Sequence, residues 1–389
     1  MRDNFTEQDL RQLLGRRDTL CVSIYLPTQT AGPEIEQNPI QLKNLLNEAE
    51  EKLVQGGVRA AEAREWLEKA RSYLDDRYFW QHQSHGLALF IEGATTRLYR
   101  LPLEFKPEVV VSDRFHITPL LPLLSGDGLF YLLALSQKQA RLFQGSRFEI
   151  EEVPVEEMPK SLADALRYDE FEPQTQYHSA DAPGAAGGGQ IIFHGHGGGE
   201  EDRKVHLARY LQGIDRALAE VLQKEQAPLV LAGVDYLLGI YREVNTYDHL
   251  LEEAILGNPD DLSAQELHQR AWPLVEPVFR APRQEAAERY KALAGTGKTA
   301  NDIQEIVPAA YQGRIDVLFL TREHHVWGTF DVESQRVHLD EAPGPDNEDL
   351  CDLAAAHTFL NRGKVYVVDP DQEPDAMPDT NGLAAIFRY

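Results

Sequence analysis

Apolar and polar positions in residues 1–125 follow both strand and helix patterns. The run Thr19–Pro27 is rich in β-branched and apolar residues and ends at proline, which predicts a strand. From Gln41 onward, apolar residues recur at helical spacing, at Leu42, Leu45, Leu46, Ala49 and Leu53. Two later apolar runs meet at Glu92–Gly93, which predicts a β-hairpin. We therefore expect an N-terminal α/β domain at residues 1–125.

The pattern in residues 126–255 predicts a mixed sheet flanked by helices. Three short apolar runs, 128–136, 139–145 and 147–154, are separated by turn residues and predict an antiparallel meander. A polar segment follows, and then one apolar stripe predicts a long helix, through Leu207, Leu211, Ile214, Leu218 and Val221. Pro228–Leu237 reads as a buried strand, and we expect a helix through Leu250–Leu256.

Residues 256–389 form the third predicted part, an α/β sandwich. Helices are expected at Ala264–Val278, Arg283–Leu293 and Ala300–Tyr311. A strand over Ile315–Leu320 precedes a predicted hairpin, 325–331 with 336–340. The pattern then predicts a helix that ends with Gly363 in the C-cap position, followed by two more strands.

Composition and charge narrow the possible functions. The 389 residues are 42% hydrophobic and 26% charged, which is typical of globular chains with two or three domains. The net charge of −25 argues against a broad nucleic-acid-binding surface, because phosphate is repelled. Cys21 and Cys351 lie far apart in apolar runs, which favours buried thiols over a disulfide or a metal site. With no apolar run of bilayer length and a polar N-terminus, we expect a cytoplasmic protein.

One segment, GAAGGGQIIFHGHGGGEEDRK from Gly184 to Lys204, has too few side chains to pack into a core. A glycine-rich phosphate loop is one interpretation, but the acidic residues that open the next helix would repel phosphate. A metal site formed by His194 and His196 with the nearby carboxylates is another. The segment is also compatible with a flexible connection, although that leaves the apolar Ile191–Phe193 unexplained.

A fourth interpretation is chemical and centres on the tripeptide Gly188-Gly189-Gln190. Glycines adopt positive φ freely, so the main chain can approach a crowded ester closely. Main-chain amides placed in this way can stabilise a developing oxyanion. The tripeptide lies between the predicted meander and the long helix.

This arrangement resembles the archaeo-eukaryotic class-1 release factors and Pelota, specifically their bacterial relatives. The resemblance rests on the three-part layout, the Gly-Gly-Gln segment, the helix that follows it and the closing strands. It implies an RNase-H-like middle domain at 126–255 and a C-terminal domain at 256–389 like ribosomal proteins that bind RNA kink-turns. It also implies that Gly188, Gly189 and Gln190 promote hydrolysis of peptidyl-tRNA on the ribosome, without a cofactor.

The stop-codon-reading Asn-Ile-Lys-Ser motif of that family is absent from residues 1–125. The resemblance therefore favours rescue of stalled ribosomes over codon-specific termination. Two alternatives stay open. The first is a non-catalytic factor that binds or sequesters ribosomes, which is favoured by the absence of Lys and Arg between Phe171 and Arg203. The second is a metal-dependent enzyme that uses His194 and His196.

Overall fold

The computed structural model describes residues 5–15, 20–124, 128–169, 199–322, 324–344, 346–369, 376–378 and 380–389. They form two compact units, one made of Met1–Gly128 with Phe279–Tyr389 and one made of Leu129–Val278. Both units contain helices and sheets, so the predicted α/β class is confirmed. The boundaries 1–125, 126–255 and 256–389, the RNase-H-like middle domain and the kink-turn-protein-like last domain stay predictions.

The first part of the first unit is an antiparallel sheet with the strand order β3-β2-β1-β4. Its elements are α1 (Glu7–Leu13), β1 (Cys21–Pro27), α2 (Gln37–Gln55), α3 (Ala60–Ser72), α4 (Arg77–Gln81), β2 (Gly86–Glu92), β3 (Thr95–Leu101) and β4 (Glu108–Ser112), followed by a 3₁₀ helix (Thr118–Leu123). Alternate residues of β1, such as Val22 and Ile24, pack with the predicted stripe of α2 in one buried cluster. The expected strand, helix and hairpin are confirmed here.

The second unit is built on a five-stranded sheet with the order β7-β6-β5-β8-β9. Its elements are β5 (Phe130–Leu135), β6 (Ala140–Gly145), β7 (Ile150–Val153), α5 (Leu162–Asp169), α6 (Gly199–Glu225), β8 (Leu229–Gly233), α7 (Asp235–Val244), β9 (Leu250–Leu256) and the first half of α8 (Ala264–Leu293). The predicted meander is confirmed, because β5, β6 and β7 pair antiparallel. Strands β8 and β9 then add in parallel.

The remainder of the first unit contains two smaller sheets. Its elements are the second half of α8, β10 (Thr299–Ala300), α9 (Ile303–Tyr311), β11 (Ile315–Thr321), β12 (Trp327–Asp331), β13 (Arg336–Leu339), β14 (Glu348–Asp349), α10 (Leu350–Leu360), β15 (Lys364–Val368) and β16 (Leu383–Phe387). One sheet has the order β10-β16-β11-β15, and the other has the order β13-β12-β14. The predicted hairpin corresponds to β12 and β13. Both cysteines are free and buried, as expected.

Four predictions about single elements are wrong. The strand expected over Pro228–Leu237 ends at Gly233, and Asp235–Leu237 begin helix α7 instead. Leu250–Leu256 is the edge strand β9 and not a helix, because parallel pairing with β8 outweighs a short ambiguous apolar pattern. The two helices expected over 264–293 are one continuous helix, α8, which runs through Pro273, Pro277 and Pro282 without a break. At the end of α10 the left-handed residue is Arg362, with φ of 61°, and not Gly363.

Among the helices of the described residues, none has both the length and the apolar character needed to span a bilayer.

Candidate functional site

The candidate catalytic residues lie in a part of the chain that the structure does not describe. Gly188, Gly189 and Gln190, and the candidate metal ligands His194 and His196, all fall within residues 170–198. The described residues on either side are α5, which ends at Asp169, and α6, which begins at Gly199. The described part of this region is the surface formed by α5, α6 and the sheet beneath them.

Helix α6 is held firmly on the sheet of the second unit. Leu207, Leu211, Ile214 and Leu218 are buried, as their spacing predicts. The Tyr210 hydroxyl donates to the carbonyl of Ser136 at 3.2 Å, and burial raises the pKa of Tyr210 above its ordinary value. Further along the helix, the Asp215 carboxylate accepts from the amide and the hydroxyl of Thr246, at 3.1 and 2.7 Å. These polar contacts fix the rotation of α6 about its axis.

The chain that leads into α5 is also tied to the sheet. The Lys160 carbonyl accepts from the Ala140 amide, and the Leu162 amide donates to the Gln137 carbonyl, each at 3.0 Å. The Ser161 hydroxyl accepts from the Asp164 amide at 3.1 Å, which caps the first turn of α5. Helices α5 and α6, which flank residues 170–198 in sequence, are therefore both attached to the sheet of the second unit.

A cleft of about 920 Å³ lies beside α5 and α6, and we call it the α6 cleft. Four basic side chains line it, Lys160, His206, Arg209 and Arg216, together with three acidic ones, Glu156, Glu157 and Asp164. At Gly213, a Cβ atom would lie 3.1 Å from Pro159 Cγ, so glycine permits the close approach of the two walls. The cleft is therefore a locally balanced surface on an acidic chain.

Sequence inspection found no basic residue within the glycine-rich segment but missed the basic side chains beside it. The signal was present in α6, where residues 206, 209, 213 and 216 follow each other at spacings of three and four. Lys160 comes from the other side of the glycine-rich segment, so only the fold brings it to this cleft.

A second polar cluster, which no sequence pattern indicates, lies in the first unit around His116 and Asp352. Asp352 Oδ1 accepts from the Ile117 amide, the Thr118 amide and the Thr118 hydroxyl, each at 2.7 Å. His116 Nδ1 lies 3.1 Å from the same oxygen, and its Nε2 lies 3.8 Å from Glu108 Oε2. The distance from His116 Nδ1 to Asp352 is short, but the angles are unfavourable for a hydrogen bond, so the two side chains interact mainly as an ion pair. The imidazole is held among carboxylates, and the Tyr25 hydroxyl donates to the His116 carbonyl at 2.6 Å.

The charges of this cluster are strongly coupled. Burial acts to lower the pKa of His116, but Asp352 and Glu108 outweigh it and raise that pKa to about 9. Burial acts to raise the pKa of Asp352, but His116 and the hydrogen bonds outweigh it and lower that pKa to about 2. At neutral pH the pair is therefore an imidazolium and a carboxylate.

Two further ion pairs surround His116 and Asp352. Arg114 pairs with Glu348, and His325 Nδ1 lies 2.8 Å from Asp349 Oδ2. A cleft of about 660 Å³ opens beside His116 and is lined also by Tyr25, Glu108 and His325. In the ranges that the structure covers, no three His, Cys, Asp or Glu side chains are placed to enclose a metal ion.

The second unit is similar to a known protein family. Residues 130–277 match the family of bacterial archaeo-eukaryotic release factors, family 7. Over these residues the chain is similar to bacterial relatives of the archaeo-eukaryotic release factors. The match covers almost the whole second unit, including α5, α6 and the undescribed segment between them. No curated protein matches this chain.

Several solved structures of translation factors are weakly similar to this chain. A ribosome-bound archaeal Pelota, from a structure with ABCE1, is 11% identical over 99% of this chain and 94% of its own, with a TM-score of 0.38. S. cerevisiae Dom34, a translation termination-like factor, is 14% identical over 77% of this chain and 75% of its own, with a TM-score of 0.37. The archaeal translation termination factor aRF1 is 15% identical over 99% of both chains, with a TM-score of 0.23. With such low scores, the relationship rests on the family match.

Proposed function

We propose that this protein acts on the ribosome and promotes hydrolysis of peptidyl-tRNA during the rescue of stalled ribosomes, without reading a stop codon. The observation that carries the proposal is the position of Gly188-Gly189-Gln190. The tripeptide lies inside the segment that matches the release-factor family, between the anchored helices α5 and α6. The ribosome and peptidyl-tRNA are the partners in this proposal, and it needs no cofactor.

The proposed chemistry is an acyl transfer to water. The Gln190 side chain orients a water molecule toward the ester carbonyl, and main-chain amides of the tripeptide donate to the oxyanion that develops. The new bond joins the water oxygen to the carbonyl carbon. The bond that breaks joins that carbon to the ribose oxygen of the terminal adenosine, which leaves as a hydroxyl after taking up a proton. The ribosome's own catalytic centre supplies the rest of the environment.

The surface beside the segment supports a role next to RNA. Lys160, Arg209 and Arg216 line the α6 cleft and offer cationic groups that suit a phosphate backbone. Glu156, Glu157 and Asp164 line the same cleft, so the cationic groups offer phosphate contacts without making the surface net basic.

A second candidate function is a non-catalytic factor that occupies the ribosome. It is favoured by the net charge of −25 and by the acidic start of α6, at Glu200, Glu201 and Asp202. Acidic side chains next to the segment disfavour insertion into an RNA-lined centre, because like charges repel.

Peptide release from stalled ribosomal complexes distinguishes the two functions. We expect the wild type to release peptide and Gln190→Ala to bind equally well but to release it at least about tenfold more slowly, as after loss of a catalytic positioning group. Gln176→Ala is the matched control, since it makes the same change in the same segment outside the tripeptide.

The other outcomes are equally informative. Co-sedimentation with ribosomes but no release by either protein supports the non-catalytic function. Absence from every ribosomal fraction contradicts both functions, and the metal-dependent alternative with His194 and His196 is then tested by elemental analysis of untagged protein.

A further inference from the structure

Strand β4 is the last strand of its sheet and has an open outer edge. Among the described residues it pairs only with β1, in the register Cys21 with Ser112 through Tyr25 with Glu108. An edge strand of this kind presents main-chain donors and acceptors that can pair with another chain.

The register shows which groups face outward. In an antiparallel pair, successive residues direct their main-chain groups alternately to one side and the other. The Thr28 amide donates to the His85 carbonyl at 2.9 Å, so Ile24 and the residues in step with it face β2. Ser23 and Tyr25 therefore face β4 and pair with Val110 and Glu108.

It follows that the main-chain groups of Val109 and Val111 point away from the sheet. A side-chain contact agrees with this assignment, because Lys52 Nζ from α2 donates to the Val109 carbonyl at 2.7 Å. The remaining outward main-chain groups are the amides of Val109 and Val111 and the carbonyl of Val111. Pro107, which precedes the strand, has no N–H to offer and limits pairing at that end.

A groove of about 340 Å³ runs along this edge. One wall is β4 itself with Lys52 and Gly56, and the opposite wall contains Trp327, Pro343 and Asn347 from the same compact unit. Trp327 and Pro343 offer apolar surface facing a row of main-chain polar groups. This combination suits an extended backbone with alternating side chains.

The charges in the groove select the kind of peptide. Its titratable lining side chains are Glu48, Lys52, Glu108 and Glu348. Arg114 pairs with Glu348, and Lys52 lies 2.8 Å from Glu48. The His116 imidazolium, 3.8 Å from Glu108, is shared with Asp352, so the carboxylates of this region still outnumber its cations. Basic side chains are therefore favoured and acidic ones repelled.

We propose that the outer edge of β4 binds an extended, basic peptide segment of a partner protein, which adds to the sheet as a further strand beside Val109 and Val111. The peptide accepts hydrogen bonds from the Val109 and Val111 amides and donates one to the Val111 carbonyl. It places apolar side chains against Trp327 and directs its cationic side chains toward Glu48 and Glu108. This binding site lies in the first unit and does not depend on the proposed hydrolysis.

The test uses the full chain and a fluorescein-labelled octapeptide of alternating Lys and Val, measured by fluorescence anisotropy. We expect saturable binding of this peptide. We expect no binding of an alternating Glu-Val octapeptide, which has the wrong charge, or of an alternating Lys-Pro octapeptide, which cannot pair as a strand.

Two pairs of variants test the geometry. Val111→Pro removes one outward N–H and should weaken binding about threefold to tenfold, whereas Val111→Thr keeps the N–H and should bind like the wild type. Glu48→Gln should weaken binding at low salt, whereas Glu51→Gln, on the same helix but outside the groove lining, should not.

Amide hydrogen exchange on the wild type keeps the proposal testable should Val111→Pro fail to fold. Addition of the Lys-Val peptide should slow exchange at Val109 and Val111 and leave Val110, which already pairs with β1, nearly unchanged. Unchanged exchange at Val109 and Val111 with the peptide bound overturns the proposal, and so does equal binding of the Lys-Val and Lys-Pro peptides.

Discussion

Asp352, in the first turn of α10, caps the 3₁₀ helix that begins at Thr118. Its Oδ1 atom lies 2.7 Å from the Thr118 amide nitrogen and 2.7 Å from the Thr118 hydroxyl, across 234 residues of sequence. The same oxygen faces the imidazole of His116 at 3.1 Å. One buried carboxylate therefore joins the two sequence segments that make up the first compact unit.

Replacement of this carboxylate should destabilise the first unit strongly. Asp352→Ala leaves the Ile117 and Thr118 amides without their acceptor and His116 without its counter-charge. We expect a loss of about 3–5 kcal/mol in the free energy of unfolding, as for other broken buried pairs. Asp352→Asn keeps an acceptor oxygen but not the charge, and should lose less.

Urea unfolding followed by tryptophan fluorescence measures both losses, with Asp346→Asn as the control because Asp346 is exposed. A loss below about 1 kcal/mol for Asp352→Ala, the range of an exposed ion pair, would contradict this account of the cap.

The stability of the first unit should fall between pH 6.5 and about 9. The pKa of His116 is raised from 6.5 to about 9 in the folded chain, so its contribution is complete below pH 6.5 and is lost as the pH rises through 9. A shift of this size corresponds to about 3 kcal/mol. The pKa of Asp352 is lowered from 3.8 to about 2, so its contribution is present above pH 3.8 and is lost as the pH falls toward 2.

The measurement is a series of urea unfolding curves across this pH range for the wild type and His116→Gln. We expect the variant to be less stable at pH 6 and to show a much flatter profile toward pH 9. Parallel profiles for the two proteins would show that another group titrates.

Local sequence patterns were sufficient to predict those elements whose buried residues follow a single helical stripe or a single antiparallel meander. The α6 stripe from Leu207 to Leu218 is buried as its spacing predicts, and β5, β6 and β7 pair as expected. The pattern failed at Leu250–Leu256, since seven residues with two exposed glutamates fit a strand and a helix equally well, and pairing with β8 decides.

Contacts between residues that are far apart in sequence could not be predicted, and the reason is different. Nothing near His116 in the chain indicates that Asp352 is its partner, because the fold alone brings together residues so far apart. Likewise, the α6 cleft combines Lys160 with side chains that follow the glycine-rich segment. The tripeptide Gly188-Gly189-Gln190 was found because it is a local motif.

Truncation of the α6 stripe should destabilise the second unit. Leu211 is completely buried in the core of that unit, so Leu211→Ala removes apolar contacts and leaves a cavity. We expect a loss of about 2–5 kcal/mol in the free energy of unfolding. Leu256→Ala is the control, because Leu256 is 64% exposed and should change stability by less than about 0.5 kcal/mol. Thermal unfolding monitored by circular dichroism measures both, and similar losses for the two variants would contradict the assigned core.

The end of α10 offers a pair of substitutions with opposite effects. Arg362 has φ of 61°, a conformation that costs a residue with a side chain about 1 kcal/mol, so Arg362→Gly should stabilise the first unit by up to that amount. Gly363 is needed for space, because a Cβ atom there would lie 2.8 Å from the Ile315 carbonyl oxygen and 2.6 Å from Thr358 Cγ2. Gly363→Ala should therefore destabilise by about 1–3 kcal/mol, as overpacking does. Urea unfolding of both variants beside the wild type measures the two effects, and a Gly363→Ala protein as stable as Arg362→Gly would show that the assigned helix end is wrong.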